Sequence, residues 1–408
     1  MESAIRRFFK KINALAPPDK GIFFISVSQF GVAFSFNCIM AFMPFYILRI
    51  SPFGTKETMI WIGLIMGAAH VFAALTATLW GQISARLRPK LLFEIAIFGN
   101  GLIMLLMGFM DNLYVILLLR IIQGCMGGIS TIGLVLIASV SPRERLHKEM
   151  SRFQMAMHLG QLLGPPAGAY IASTLGYQYP FIVSFLAITV ITLFCHRHVA
   201  DAPPRREIRQ QGTLPKRGIL VGWALGFAAT VQITFLPSIL PHVLEDFRLT
   251  GNEALNTAGT IMMAYTAAAI PGNYLISAMG GKIELKKLIA FATGAACLCQ
   301  VLLIVCPGAI SFALVRMVQV GCISAVFPLV LSIFARDAGG GTLGFLNSSR
   351  FFGNALGPFM ATSIVAYSGL LTLYLVIAGM TLVALWSFLA SRGVQPVSLS
   401  GGKPAEQQ

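Results

Sequence analysis

The sequence predicts an all-α membrane protein of twelve transmembrane helices in two pseudo-symmetric six-helix bundles. Three observations carry this. The 408 residues are 56% hydrophobic and only 11% charged, with a mean hydropathy of +0.77, whereas a soluble chain carries about 25% charged residues. The chain also repeats itself: Gly160, Leu163, Gly164 and Pro165 recur 193 positions later as Gly353, Leu356, Gly357 and Pro358. The same offset carries Phe42-Met43-Pro44 onto Phe235-Leu236-Pro237, and one offset holding at two distant places marks a unit written twice. Finally, 24 of the 30 basic residues fall in the termini and every second loop. Only Arg49, Lys56 and Arg248 lie in the alternate loops, and Arg120, Arg316 and Arg350 lie inside spans.

In chain order, residues 1–20 place Ile5, Phe8, Phe9, Ile12 and Leu15 at helical spacing with Arg6, Arg7, Lys10 and Lys11 between them. That is a basic amphipathic segment suited to a membrane surface; an unstructured tail is the alternative. A bilayer needs about 20 apolar residues per helical crossing. Six such stretches make a first bundle over 21–195: 21–48, 59–81, 90–110, 113–139, 152–174 and 179–195. The first is too long for the apolar region of a secretory signal and lacks a small-residue cleavage site, so it stays as a helix. Residues 196–217, with Pro203-Pro204-Arg205-Arg206, form the polar linker. A second bundle, 218–391, follows with stretches at 218–244, 257–279, 287–306, 309–334, 343–366 and 370–391. The tail, 392–408, is polar and reads as disordered. A barrel would show alternating ten-residue strands instead.

The charge placement puts both termini and the linker in the cytoplasm. It also accounts for the net charge of +15 by contact with anionic lipid heads, so no nucleic-acid partner is expected. The seven cysteines lie in or at the edges of helices with no zinc or redox spacing. No metal and no cofactor are expected, and nothing assembles the paired acids or activated nucleophile of an enzyme.

Polar residues inside the spans point to a central cavity. Gln154, Met157, His158 and Gln161 share one face of the fifth helix, and Asn347, Arg350 and Asn354 one face of the eleventh. The repeat offset superposes Gln154 on Asn347, Met157 on Arg350 and Gln161 on Asn354. Helix–helix hydrogen bonding without any ligand is the alternative. Gln29 and Asn37 on helix 1 and Gln232 on helix 7 are further candidate lining residues. Glu94 is the one acid within an apparent span, against three arginines. A cavity with Arg350 and no deep carboxylate suits an anionic or zwitterionic ligand held by a planar fork. His70 and His158 lie mid-span, and histidine is the residue type whose ordinary range is physiological; with Glu94 they are the candidate proton carriers.

Two motifs carry a family resemblance. Helix 5 reads Gly160-x-x-x-Gly164-Pro165-x-x-Gly168, and helix 4 reads Arg120-x-x-Gln123-Gly124-x-x-Gly127-Gly128, echoed by Arg316-x-x-Gln319 on helix 10. With these the chain resembles the major facilitator superfamily, and within it the twelve-helix drug/proton antiporters, over nearly its whole length. The loop after helix 2, Trp80-Gly81 to Lys90, departs from the family pattern: Ala85 replaces the usual aspartate, Arg88 the second glycine, and Gly281 stands at the acid position of the repeat.

The resemblance implies the major facilitator fold, proton coupling through Arg120, Gln123 and Arg316, and gating by rocking at Gly160, Gly164, Pro165, Gly357 and Pro358. For Arg120 and Arg316, snorkelling to the membrane surface is the alternative. The expected function is proton-coupled efflux of a small anionic or amphiphilic molecule (siderophore, organic acid or drug) by alternating access, by a monomer in a bacterial inner membrane. Uptake of a metal-chelate or peptide, and a non-transporting receptor on the same fold, are the alternatives.

Overall fold

The computed structural model describes residues 17–84, 87–129, 132–133, 136–137, 141, 145–199, 217–280, 282–334 and 340–391. The basic segment before residue 17, most of the linker and the tail lie outside these, as do Ala85 and Gly281. Among the described residues there is helix and no strand.

The first half comprises α1 Pro17–Ile50, α2 Thr55–Ser84, α3 Pro89–Met107, α4 Leu113–Cys125, α5 Leu146–Leu175 and α6 Tyr179–His198. In the second, α7 runs Arg217–Thr234 and resumes as Leu236–Asp246 after a 43° bend. Then come α8 Gly251–Met279, α9 Leu285–Leu302, and α10 as Ala309–Ile323 continued by Val326–Phe334. A last helical stretch, Gly340–Ala390, divides at Gly369, whose φ of 85° only glycine adopts without strain. Its limbs are α11, residues 340–368, and α12, residues 370–390.

Local chemistry sets the ends. Asn112 caps α4 by accepting from the Tyr114 amide at 2.9 Å, and Pro89 and Pro180 occupy first turns, where a missing N–H is harmless. Gly176 ends α5 at φ 113°. Helix α4 is short and apolar. Helices α5 and α8 fall below the hydropathy of a self-sufficient span.

The repeat is visible in packing. Helix α5 lies on α1 through Gly160, Gly164 and Gly168, where a Cβ would strike the carbonyls of Phe30, Phe34 and Cys38. Helix α11 lies on α7 through Gly353 and Gly357, where a Cβ would come within 2.5 Å of the Thr230 and Thr234 side chains. Small residues let backbones approach where lipid offers no hydrophobic drive for association.

The halves meet along α2–α11 and α5–α8. Gly63 faces Thr362 and Phe359, Gly67 faces the Ala355 carbonyl, and Gly259 faces Pro165 and Pro166. Ser173 Oγ donates to Asn256 Oδ1 at 3.0 Å, and Lys56 lies 6.0 Å from the Tyr367 ring centre. All these contacts lie toward the ends of the helices remote from the linker. The apolar core is continuous between halves there, from Phe42, Ile65 and Ala169 to Phe235, Ala258 and Ala361. On the linker side, the second half packs a separate core of Leu225, Ile276, Leu288, Val330 and Phe388. The molecule is sealed on the face opposite the linker.

Candidate substrate cavity

Helix α5 presents three sides. Gly160, Gly164 and Gly168 face α1, Pro165 and Ala169 face α8, and Leu159, Leu163 and Tyr170 are exposed on the outside. Gln154 and Gln161 fall between the α1 and α8 sides, with His158 beside them. On α11, Ser349, Gly353 and Gly357 face α7, Ala355 and Thr362 face α2, and Phe352 and Leu356 are exposed outward. Asn347, Arg350 and Asn354 fall between the α7 and α2 sides. Both polar stripes therefore look toward the axis between the halves, on the linker side of the seal.

Asn347, Arg350, Gln154 and His158 are exposed there, while Asn354 and Gln161 are half-buried. The Arg350 guanidinium lies 5.3 Å from the centre of the Phe327 ring and has no hydrogen bond or ion pair among the described residues. His158 Nδ1 is 3.1 Å from Gln161 Oε1. Asn37 is half-buried against Gly164 and spends its amide on the Ala33 carbonyl at 2.8 Å. Pro165 and Pro358 have no N–H, so the carbonyls of Gln161 and Asn354, four residues earlier, have no helical donor.

Three expected residues stand elsewhere. Gln29 is buried inside the first half, and Gln232 is buried and donates to Thr381 Oγ1 at 3.1 Å and Cys297 Sγ at 3.5 Å. Both are closed off from the space between the halves in this conformation. Glu94 lies at the linker end of α3, 3.1 Å from His196 Nδ1 and 3.9 Å from Lys90 Nζ, tying α3 to α6. A buried carboxylate, Glu149, is gripped by Arg152 at 2.8 and 3.0 Å in the first turn of α5. It precedes the apolar stretch that marked this span, so hydropathy could not find it. Among the described residues no carboxylate lies deep in a span.

Arg120 and Arg316 are 0% exposed, which rules out snorkelling. Arg120 donates from Nε to the Ile65 carbonyl at 3.0 Å, from Nη1 to Gln123 Oε1 at 2.6 Å, and from Nη2 to Met40 Sδ at 3.0 Å. Gln123 passes the chain on to Asn100 Oδ1 at 3.0 Å. Arg316 donates from Nη1 to Gln319 Oε1 at 2.8 Å and from Nη2 to the Ile233 carbonyl at 2.9 Å, and Gln319 Nε2 donates to Gln300 Oε1. Asn100 and Gln300 complete these triads, and no sequence motif marked them. His70, half-buried on α2, stands edge-on to Phe36 at 5.9 Å, and the same ring lies 5.5 Å under Arg120.

Two bundles with matched helix pairs and polar stripes turned toward the axis between them are what alternating-access carriers present. The family model for the Major Facilitator Superfamily matches residues 25–230 and 222–407. The chain belongs to this superfamily. The transporter is 26% identical over 380 residues to the multidrug resistance protein MdtG of Escherichia coli, covering 89% of this chain and 93% of that one. Among solved structures it is similar to a bacterial homologue of the human lysosomal transporter Spinster, inward-facing and occupied (TM-score 0.75, 12% identity, 94% and 98% covered). It is also similar to the nucleoside transporter NupG (TM-score 0.73, 12% identity, 91% and 99% covered). Such distant structures share the fold and say nothing of cargo. Transport by a helical membrane protein, and not catalysis, is the activity of this chain.

Proposed function

We propose that this transporter exports a small anionic or amphiphilic molecule in exchange for protons, by alternating access, as a monomer in a bacterial inner membrane. The observation that carries the reading is Arg350: a cavity-facing cation with no acidic partner among the described residues. A guanidinium offers a planar fork to carboxylate or phosphate, and a cationic cargo would meet like charge with no deep carboxylate to offset it. Asn347, Asn354, Gln154, His158 and Gln161 supply donors and acceptors around that fork, and Phe327 an apolar wall. Siderophores, organic acids and anionic drugs all match this pattern.

The basic excess of the linker side puts that side, and both termini, in the cytoplasm, so the seal described above lies outward and the cavity admits cargo from within. MdtG, named for multidrug resistance, supports export as the direction. His70 and His158 are the histidines within the spans and take the proton-carrying role. Arg120 and Arg316, saturated or nearly so by dipoles, act as fixed charges that hold each half rigid, and the close, kinked pairs at Gly160, Gly164, Pro165, Gly357 and Pro358 keep α1 with α5 and α7 with α11 as the halves rock against each other.

The test is transport by the purified protein in liposomes under an imposed pH gradient, with a fluorescent tricarboxylate and a cationic dye as alternative cargoes. The reading expects gradient-dependent movement of the anion with opposite proton flux. Movement of the dye alone, or of the anion without proton flux, overturns it.

A further inference from the structure

Helices α1 and α6 meet along matching stripes. Ser35 Oγ donates to the Ser184 carbonyl at 3.5 Å, a Cβ on Gly31 would strike the Ile191 side chain, and Phe24 stacks on His198 at 4.6 Å. The α1 stripe of Ser35, Gly31 and Phe24 continues at helical spacing to Lys20, one turn beyond Phe24. The α6 stripe of Ser184, Ile191 and His198 ends on the last residue of that helix. Lys20 and His198 therefore share the linker end of the α1–α6 groove. The Phe194 ring closes the stack there, 5.5 Å from Phe24 and 8° off its plane. The outward side of α6 is an exposed apolar column of Leu186, Val190 and Leu193, the last 64% exposed. Arg197, itself exposed, ends that column four residues on. Arg197 and Lys20 both lie within electrostatic reach of the His198 ring. Two acids at this end are engaged elsewhere, Asp19 with Arg145 at 3.7 Å and Glu94 with His196 and Lys90.

Lysine and arginine side chains only donate, and imidazole offers at least one N–H. Two cations and an imidazole at the foot of a lipid-facing apolar column present charge and hydrocarbon in the order in which a phospholipid presents phosphate and tail. Basic pockets between helices at this level of a bilayer suit anionic headgroups. A zwitterionic headgroup would bring its own cation against Lys20 and Arg197, whereas an anionic one answers both. We propose that Lys20, Arg197 and His198 bind the headgroup phosphate of an anionic phospholipid from the leaflet on the linker side, with an acyl chain along Leu193, Val190 and Leu186. The lipid fastens α1 to α6 where the linker leaves the first bundle, apart from cargo at Arg350. The second half has no counterpart: the repeat offset places Ser387, Ala390 and Ser391 where α6 carries Phe194, Arg197 and His198.

The test is thermal unfolding of the full-length protein in detergent with added phosphatidylglycerol, phosphatidylcholine or inorganic phosphate. Phosphatidylglycerol should raise the melting temperature saturably, and the other two should not. Lys20→Gln and Arg197→Gln should each weaken the apparent affinity about fivefold. Removing two cations from the same side of the second half, by Lys286→Gln with Lys287→Gln, should leave it unchanged. Absence of a shift, or an equal shift with phosphatidylcholine or inorganic phosphate, overturns the proposal. An equal loss in the second-half variant also overturns it, by spreading the attraction over the whole basic face. Should Lys20→Gln and Arg197→Gln fail to fold, the wild-type protein decides through phosphatidylglycerol carrying a photoreactive acyl chain. Labelling of the peptide over residues 186–197, competed by excess phosphatidylglycerol and not by phosphatidylcholine, supports the site; labelling absent from that peptide overturns it.

Discussion

Arg316 donates from Nη2 to the carbonyl of Ile233 at 2.9 Å, and Ile233 stands four residues before Pro237. A proline has no N–H to return to the carbonyl one turn earlier, so the arginine of α10 fills the vacancy that the proline of α7 creates. The first half repeats the relationship with different atoms: Pro44 frees the carbonyl of Met40, and Arg120 reaches Met40 through its thioether. The two motifs of the repeat, Phe-x-Pro and Arg-x-x-Gln, are thus parts of one device in each bundle.

If Arg316 acts as that surrogate donor, Arg316→Gln should lower stability by about 1–3 kcal/mol through the orphaned carbonyl. Pro237→Ala, which restores a helical donor, should recover part of this in the double variant. Unfolding in detergent should give a coupling energy of about 1 kcal/mol; strict additivity contradicts the pairing.

The seal between the halves leads to a second prediction. A Cβ at Gly67 would fall on the Ala355 carbonyl, a backbone atom that no side-chain rotation relieves. Gly67→Val should fold yet transport about tenfold more slowly or worse, because overpacking of about 1–3 kcal/mol acts on one of the two alternating states. A thiol placed by Thr362→Cys should then react faster with an impermeant maleimide from the side opposite the linker. Unchanged reactivity would argue against this contact as part of the seal.

Glycines within one half should behave differently. Gly168 presses on the Cys38 carbonyl and Gly164 sits 2.9 Å from Asn37 Cβ at the would-be Cβ. Gly168→Ala should reduce the yield of folded protein, measured by size-exclusion profile, since α1 and α5 belong to one rigid body in both states. Normal yield with slow transport would assign this contact to gating instead.

Glu94 offers a clean separation of roles. Its partners, Lys90 and His196, place it at the linker end of α3, and Glu94→Gln should leave gradient-driven transport intact with a stability change within about 1 kcal/mol. Loss of proton coupling in this variant would return Glu94 to the mechanism.

The fold was legible because it rests on signals a chain must display: twenty-residue apolar runs, basic loops on one side, and a repeat offset shared by Pro44/Pro237 and Pro165/Pro358. The polar stripes on α5 and α11 were legible because the repeat fixes which turn of each helix looks inward. The burial of Gln29 and Gln232 was not legible, because helix number does not fix rotation about the helix axis. The Gln232 amide meets Thr381, a neighbour that lies far away in sequence. Asn100 and Gln300 went unseen for the same reason, and so did Glu149, which sits outside the apolar run that hydropathy detects.

The most direct measurement of the central claim is accumulation in everted membrane vesicles, comparing an anionic chelator with a cationic dye, in wild type and Arg350→Ala. The account predicts proton-driven accumulation of the anion by wild type, reduced about tenfold or more in Arg350→Ala by loss of a charge-assisted bond, and none of the dye. Accumulation of the dye with no effect of the substitution would contradict it.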